Sequence, residues 1–471
     1  MKGLHIKKNK VAIIGFGISG KSVARYFLNH TIGVTVFEDK KIQDFDQINL
    51  DEFKDNENFE IQYDTSNTRA DVSEFDYVIA SPGVPLTHAL IQNAQASNVE
   101  FVTDITIFLR VFRSQYPSGK VISITGSNGK STTVSLMYDA LKATKQDVYL
   151  GGNIGTSPLD FFESIKSQSP LIILETSSYQ LEYLKSEDYF DIAGITNISD
   201  NHLNRYGGKK ELYAKAKLGG IHASYTDVLL NLDDEESNKY VLPYVKAQSI
   251  LPIQFKTQTS SEIITFENDT LIYNSDNKKV LLEKVSDMKI SGLHNVYNTA
   301  FVCGVFVLLD IEIDSEVQNA IHKFGGLIHR TQFVDAINSI SFINDSKSTS
   351  PDATTKALET LGTSKNIILI SGGNDKDISY DSMKESWNDF VEALVLLPGT
   401  ANPKLKTLAH QSGVEVLGEV QTMSEAIEIA LQHAQEEGVV LLSPATDSHA
   451  SFRSFEDRGN QFIQCVKELK K

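Results

Sequence analysis

The run Thr125-Gly126-Ser127-Asn128-Gly129-Lys130-Ser131-Thr132 constrains this chain more than any other stretch. It joins an apolar strand, Val121 to Ile124, to a helix-like segment that begins Val134-Ser135-Leu136-Met137. A strand, a phosphate-sized turn and a helix in that order make the core of an α/β unit with an anion site at its centre. Gly126 and Gly129 let backbone amides approach an anion, with Ser127, Asn128 and Thr132 completing the turn. Lys130 adds a point charge, and Ser131 offers a hydroxyl to a magnesium ion. The pattern fits a nucleoside triphosphate. It is also compact, because only Ser127 and Asn128 separate Gly126 from the Gly129-Lys130 pair, where the general Walker pattern has four residues. A plain glycine-rich turn with a solvated lysine is the alternative, and it leaves the coincidence of strand, glycines, lysine and hydroxyl unexplained.

A chain of 471 residues has room for about three domains, each with its own core. The formal charge of -17, from 44 Lys plus Arg against 61 Asp plus Glu, argues against a broad nucleic-acid-binding surface. Any anionic substrate would need local basic groups or metal ions to offset that field. Without a signal pattern or an apolar run long enough to span a bilayer, the protein is expected in the cytoplasm with no membrane partner. Cys303 and Cys465 lack metal-ligand spacing and read as reduced thiols.

The fold class expected is α/β, with three domains in series: a Rossmann-like N-terminal domain over 1–108, a central P-loop ATPase-like domain with a mostly parallel sheet over 109–326, and a Rossmann-like C-terminal domain over 327–471. In the first, the strand Val11 to Ile14 leads into Gly15-Phe16-Gly17-Ile18-Ser19-Gly20 and a helix, and a second strand, Val34 to Phe37, ends on Glu38-Asp39. Alone, this dinucleotide fingerprint predicts NAD and a nicotinamide-dependent oxidoreductase, although its glycines serve any diphosphate on a helix N-terminus. A third strand, Tyr77 to Ala80, runs into the rigid turn Ser81-Pro82-Gly83-Val84-Pro85. In the second domain the buried run Leu171 to Leu174 ends in Glu175, placed to share a metal with Ser131. The stretch Ile263 to Ile290 alternates around Asn268-Asp269 and predicts a small β-rich elaboration. Gly325-Gly326 marks a hinge. In the third, strands at 341–344, 367–370, 394–397 and 439–442 and a helix at 352–361 alternate again.

Several polar clusters carry more than one reading. His202, in the loop Asn197 to Tyr206, could bind a metal or a phosphate oxygen, or simply be solvated. Lys217 ends a stretch with lysines at helical spacing, Lys209 to Leu218, which predicts an exposed amphipathic helix with nothing to single it out. Asn295 and Asn298 share a helix face and could read an adenine edge or cap the helix. In Asp345-Ser346-Lys347-Ser348-Thr349-Ser350-Pro351-Asp352, Ser350 suits an N-cap, Pro351 the first helical position and Asp352 the dipole, leaving Asp345, Lys347 and Thr349 unexplained. Ser371-Gly372-Gly373-Asn374-Asp375-Lys376, Ser443 to Ser448 and Phe455-Glu456-Asp457-Arg458-Gly459 are further polar strand exits or clusters.

Taken in order, these motifs resemble the Mur ligase family of ATP-dependent amide-forming enzymes of peptidoglycan synthesis, over the whole length of the chain. The short phosphate turn, Gly151-Gly152-Asn153-Ile154-Gly155, and Glu175-Thr176-Ser177-Ser178-Tyr179-Gln180-Leu181 carry the resemblance, with Asp345 to Thr349, Ser443-Pro444-Ala445 and Phe455 to Gly459. It is closest to the branch that adds D-glutamate. The resemblance implies that Gly17, Ile18, Ser19, Gly20, Glu38, Asp39, Gly83 and Asn153 serve a UDP-sugar, so that NAD falls away. It implies ATP held by the phosphate turn, with Asn295 and Asn298 on the adenine and Arg330, Asp345 and Lys376 toward the nucleotide. Lys130, Glu175, His202 and Lys217 would be catalytic. Two magnesium ions are implied, with Ser131, Glu175, His202 and a carbamylated Lys217 as their protein ligands. Lys347, Thr349, Ser448 and Phe455 would take D-glutamate. Small-molecule substrates are the expected partners, and a monomer the expected state. The sequence departs from the family where Asn201 and Asn204 replace aspartates and where Ser350 replaces an asparagine. A ligase for another amino acid remains the nearest alternative.

Overall fold

The computed structural model describes residues 3–40, 50–66, 70–199, 205–245, 249–257, 260–275, 278–290, 292–375 and 378–469. They form three α/β domains, each built on one mostly parallel sheet. The first sheet has five strands, β1 (Lys10–Ile14), β2 (Gly33–Glu38), β3 (Phe59–Tyr63), β4 (Tyr77–Ala80) and β5 (Glu100–Thr103), in the order β3-β2-β1-β4-β5 and all parallel. The chain winds outward from β1 to β3 and then crosses to β4. The crevice at the carboxyl ends of β1 and β4 is therefore the topological switch point, where open α/β sheets bind ligands. The three expected strands are present, whereas β3 and β5 were not expected: both lie at the sheet edges, and with Glu60 exposed and Glu100 opening β5 neither has a long apolar run.

The second sheet has nine strands: β6 (Lys120–Thr125), β7 (Val148–Gly152), β8 (Leu171–Glu175), β9 (Ile192–Ile195), β10 (Asp227–Asn231), β11 (Ser249–Ile253), β12 (Ile263–Glu267), β13 (Thr270–Ser275) and β14 (Lys278–Lys284). Their order is β14-β13-β12-β11-β10-β9-β6-β8-β7. The strands from β7 to β12 pair in parallel, and β12, β13 and β14 close the edge as an antiparallel meander. That meander is the β-rich elaboration expected from the alternation. Asn268 and Asp269 adopt φ of 47° and 64°, the left-handed pair that a tight hairpin requires. The helix Lys130–Ala143 starts at the phosphate lysine itself, four residues before the apolar pattern that announced it.

The third sheet orders β15 (Gln332–Ile337), β16 (Ile340–Asn344), β17 (Ile367–Ser371), β18 (Val391–Leu396), β19 (Glu415–Glu419) and β20 (Val439–Leu442) as β15-β16-β20-β17-β18-β19. Only β15 is antiparallel.

The chain divides into two compact units, 1–324 and 325–471. The first two sheets share one unit because the helix Asp104–Gln115 runs through position 108 and buries Ile105, Phe108 and Phe112 in one apolar cluster with Val11 of the first sheet and Ile172 of the second. Among the described residues no helix is long and apolar enough to cross a membrane.

Candidate active site

The phosphate turn leaves β6 between two neighbouring strand ends and is clamped from both sides. Gly126 has φ of 141°, and a Cβ there would lie 1.9 Å from Thr196 Oγ1; Gly129 has φ of 84°, and a Cβ there would lie 2.4 Å from Asn298 Oδ1. Neither position accepts a side chain. Thr196 Oγ1 donates to Asn128 O at 2.6 Å, Asn197 Oδ1 accepts from Asn128 N at 3.0 Å, and Asn197 Nδ2 returns a bond to Asn128 O at 3.1 Å. The polar strand exit after β9 is thus a splint for the turn, a role its sequence did not signal. Lys130 heads the helix and its Nζ donates to Gly126 O at 2.9 Å and Ser127 O at 3.0 Å.

Lys217 corrects the surface reading of its helix. It follows the helix Lys210–Ala216 and is only 2% exposed. Its position four residues after the buried Tyr213 places it on the inward face, whereas Lys215 pairs with Glu211 outside. Lys217 Nζ donates to Gly126 O at 3.0 Å and lies 4.4 Å from the centre of the Tyr213 ring. Burial, and secondarily the charge of Lys130, hold its pKa well below the ordinary lysine value.

Glu175 ends β8, pairs in register with Ile124 of β6 and is 3% exposed. Its Oε1 accepts from Asn153 Nδ2 at 2.9 Å, and Asn153 N–H donates to Glu175 O at 2.7 Å, so the Gly151 to Gly155 turn is latched to this acid. Glu175 Oε2 is buried with no hydrogen-bond partner. A buried carboxylate oxygen left unpaired is costly unless a cation satisfies it, so Glu175 has the chemistry of a divalent-metal ligand. Among the described residues no three His, Cys, Asp or Glu side chains form a metal cluster, so phosphate oxygens and water would have to complete the shell. His202 and Lys376 lie outside the described residues, as do Asp200, Asn201 and Asn204.

Asn295 and Asn298 do share a face, joined by an Asn298 Nδ2 to Asn295 Oδ1 bond of 3.1 Å. Asn298 is 6% exposed, and its Oδ1 also accepts from Thr133 Oγ1 at 3.2 Å. It therefore buttresses the phosphate turn, and Asn295, half-buried, is the one better placed to meet a base.

At the first sheet's switch point, Gly17 precedes the helix Ile18–Asn29, and a Cβ at Gly17 or at Gly83 would meet nothing within 4 Å. A Cβ at Gly20 would instead strike Gly15 O at 2.1 Å, so this glycine serves close packing. Ser81 Oγ donates to Gly15 O at 3.0 Å and ties the two turns together. The paired acids divide their work. Glu38, 7% exposed, accepts from Phe16 N at 2.9 Å and Lys40 N at 3.1 Å, so its carboxylate is committed to the protein's own backbone. Asp39 has a 42% exposed side chain. A further link was not foreseen: Arg205 Nη2 donates to Val84 O at 3.2 Å and Tyr183 Oη at 2.7 Å, with an ion pair to Glu182, joining the second domain to the Ser81–Pro85 turn.

In the unit 325–471 the exits of β16 and β20 lie side by side, Asn344 against Leu442. Asp345 is 1% exposed and accepts from Thr331 N at 3.0 Å and Ser443 Oγ at 2.7 Å, so it fixes the segment carrying the exposed Arg330 and does not face outward itself. Lys347 Nζ lies 5.9 Å from the centre of the Phe455 ring, which brings two of the four expected amino-acid ligands together. Thr349 is half-buried and Ser448 is 3% exposed. Ser350 takes the N-cap position of the helix Pro351–Leu361 without a side-chain capping bond, so the helix start relies on Pro351 and Asp352.

Arg458 holds this cluster from beneath. It is fully buried, donates from Nε to Ser346 Oγ at 3.0 Å and from Nη2 to Ser346 O at 2.9 Å, and leaves Nη1 without a partner. Replacing Arg458 by alanine removes both of its bonds to Ser346, the residue preceding Lys347; Ser346 is otherwise held by Phe455 O and Asn344 Oδ1. We expect a loss of about 3 kcal/mol or more in the urea unfolding of the full chain. A loss under about 1 kcal/mol would mean that the loop needs no such support.

A phosphate turn with two lysines on one carbonyl, a buried acid with one unpaired oxygen on the neighbouring strand, and three α/β domains in series define a multidomain nucleotide-using enzyme. Comparison with known proteins carries this further. Residues 9–103 match the Mur ligase MurD-like N-terminal domain, 124–306 the Mur ligase middle domain and 329–446 the Mur ligase glutamate ligase domain. The chain belongs to the Mur ligase family. Two relatives named UDP-N-acetylmuramoylalanine--D-glutamate ligase are that of Clostridioides difficile, 31% identical with 99% of this chain and all of the relative covered, and that of Caldicellulosiruptor bescii, 33% identical with 99% of each covered. Among solved structures, UDP-N-acetylmuramate-alanine ligase MurC from Thermotoga maritima matches with a TM-score of 0.56 at 16% identity, over 98% of this chain and 99% of that one. MurF ligase from the same organism, in complex with ADP, matches with a TM-score of 0.55 at 17% identity, over 93% and 96%. These two share the fold.

Proposed function

We propose that this protein joins D-glutamate to UDP-N-acetylmuramoyl-L-alanine at the expense of ATP, in cytoplasmic peptidoglycan precursor synthesis and as a monomer. The observation that carries the reading is the convergence of Lys130 and Lys217 on the Gly126 carbonyl, in a sheet whose next strand presents Glu175 with a free oxygen. A carboxylate is a poor electrophile, so the alanyl carboxylate must gain a leaving group before an amine can attack it. Transfer of the γ-phosphoryl group to a carboxylate oxygen breaks the γ-phosphate bond to ADP and forms an acyl phosphate. The D-glutamate amine then adds to the acyl carbon, loses a proton, and displaces phosphate.

In this scheme Lys130 and the turn's amides orient the β and γ phosphates, and the short turn keeps them over the helix N-terminus. Ser131 and Glu175 would hold a magnesium ion, which would supply charge neutralisation for the phosphoryl group in transfer. A second magnesium would draw on His202 and a carbamylated Lys217. The Lys217 amine, whose burial favours its neutral form, would add to carbon dioxide through its lone pair and release one proton, giving a carbamate anion. Gly17, Ile18, Ser19, Gly83 and Asp39 would take the UDP moiety, with Gly20 letting the turn pack closely and Asn153 toward the sugar. Lys347, Thr349, Ser448 and Phe455 take D-glutamate. Asn295 would meet the adenine, and Arg330 and Lys376 are the candidates for phosphate contact.

The test is phosphate release with ATP, magnesium and UDP-N-acetylmuramoyl-L-alanine across a panel of D- and L-amino acids. Turnover is expected with D-glutamate, at least about a hundredfold above L-glutamate or D-alanine. Equal turnover with either of those would sink the substrate assignment and favour a ligase for another amino acid.

A further inference from the structure

The turn that follows β4 carries a histidine with no part in the scheme above. His88 is 6% exposed, and both of its ring nitrogens are engaged. Nδ1 accepts from Leu90 N–H at 3.3 Å, capping the helix Ala89–Ala96, and Nε2 lies 3.1 Å from Asp39 Oδ1. A backbone N–H can only donate, so Nδ1 carries no proton. The proton of the neutral ring therefore sits on Nε2 and is donated to the carboxylate.

Three features give this contact a purpose. Histidine lies outside the group of side chains preferred at a helix N-cap, where Ser, Thr, Asp and Asn do the same work. Its choice here is explained if the second nitrogen is needed. Asp39 stands at the carboxyl end of β2, beside the switch-point crevice, and is half exposed while its histidine partner is buried. Among the described residues both partners of Asp39, His88 and the Thr65 hydroxyl at 3.3 Å, bond the same oxygen, Oδ1. Among the described residues the second oxygen takes no hydrogen bond. Glu38, the neighbouring acid, is already spent on the backbone of Phe16 and Lys40.

We propose that His88 is a positioning residue for the nucleoside end of the UDP-sugar: through Nε2–H it fixes the Asp39 carboxylate so that Oδ2 accepts a hydrogen bond from a hydroxyl or N–H of the nucleoside. This rests on assigning the first domain to the UDP-sugar. A buried imidazole holds the carboxylate in one rotamer without cancelling its charge, so less side-chain entropy is lost when the nucleoside arrives.

Two substitutions separate the two nitrogens. His88→Asn places its amide near Nδ1 and can keep the helix cap while losing the bond to Asp39. His88→Gln reaches the position of Nε2 and can keep that bond while losing the cap. His88→Asn is expected to raise KM for UDP-N-acetylmuramoyl-L-alanine about tenfold, with kcat and KM for ATP nearly unchanged, the loss of part of one charge-assisted hydrogen bond. His88→Gln is expected to recover most of that loss. The opposite ranking, or an equal fall in kcat, would mean that the ring serves only the cap, and the proposal would be wrong. Asp39→Asn distinguishes the two levels of the argument. If it leaves KM unchanged, the nucleoside role of Asp39 fails and takes the proposal with it. If it raises KM while His88→Asn does not, the positioning role alone fails. In the Asp39→Asn background, His88→Asn should add nothing further, a comparison that holds even where both single variants lose some stability.

Discussion

Replacing Lys217 by alanine is expected to slow phosphate release about a thousandfold, and short carboxylic acids such as formate or acetate to restore part of it. A cationic lysine would sit poorly where Lys217 lies, because it is buried there and would share the Gly126 carbonyl with Lys130. A carbamate reverses the sign of the group and turns repulsion from Lys130 into attraction. A small carboxylate entering the space left by alanine supplies the same anion. If no short acid restores any rate, and mass spectrometry under mild conditions finds no added carbon dioxide on the wild-type chain, the carbamate has no place in the reaction.

The same burial has a signature in stability. The folded-state pKa of Lys217 lies well below the ordinary lysine value of 10.5, so between the two the unfolded chain binds one proton more than the folded chain. Stability therefore rises with pH across that window, and the penalty is complete below the folded-state value. In buffer free of carbon dioxide, Lys217→Met should unfold at a higher temperature than wild type near neutrality. That advantage should shrink as pH climbs toward 10.5. A constant difference at all pH values would show that the amine is not the source.

Glu175→Gln should cost a similar factor, about a thousandfold in kcat, while leaving the fold intact. Glutamine can keep the bond from Asn153 to the first oxygen, but it replaces the unpaired Oε2, the atom left for a cation. Thermal unfolding makes the distinction sharp. Magnesium and ATP together should raise the melting temperature of the wild type, and the magnesium-dependent part of that rise should vanish in the variant. Without ligands the variant should melt no lower than wild type, since a buried uncompensated charge has been removed. Wild-type turnover, or an unchanged magnesium-dependent shift, would remove Glu175 from the metal site.

Local chemistry was legible wherever the chemistry is local. The turn from Thr125 to Thr132 announces its ligand class because glycines, lysine and hydroxyl act within a few residues of one another. Buried strands such as Leu171–Glu175 and Ile367–Ser371 announce themselves because each lies wholly inside a sheet. Edge strands such as Phe59–Tyr63 and Glu415–Glu419 do not, because one side of each needs no apolar residue. Ser350 looked like a capping residue and occupies the position, yet its hydroxyl makes no capping bond.

The sequence by itself determined the phosphate turn, the three α/β domains in series and the Mur ligase resemblance, because spacing and periodicity are properties of neighbours along the chain. Only the tertiary structure decided that Lys217 is a buried amine, since its partner Gly126 lies 91 residues away. It alone decided that Asn298 supports the turn through Thr133, at a separation of 165 residues, and that Asp39, held by His88, faces the solvent while Glu38 is spent inside. Burial and the direction of a side chain are set by what packs against it from far along the chain, and no local pattern records that.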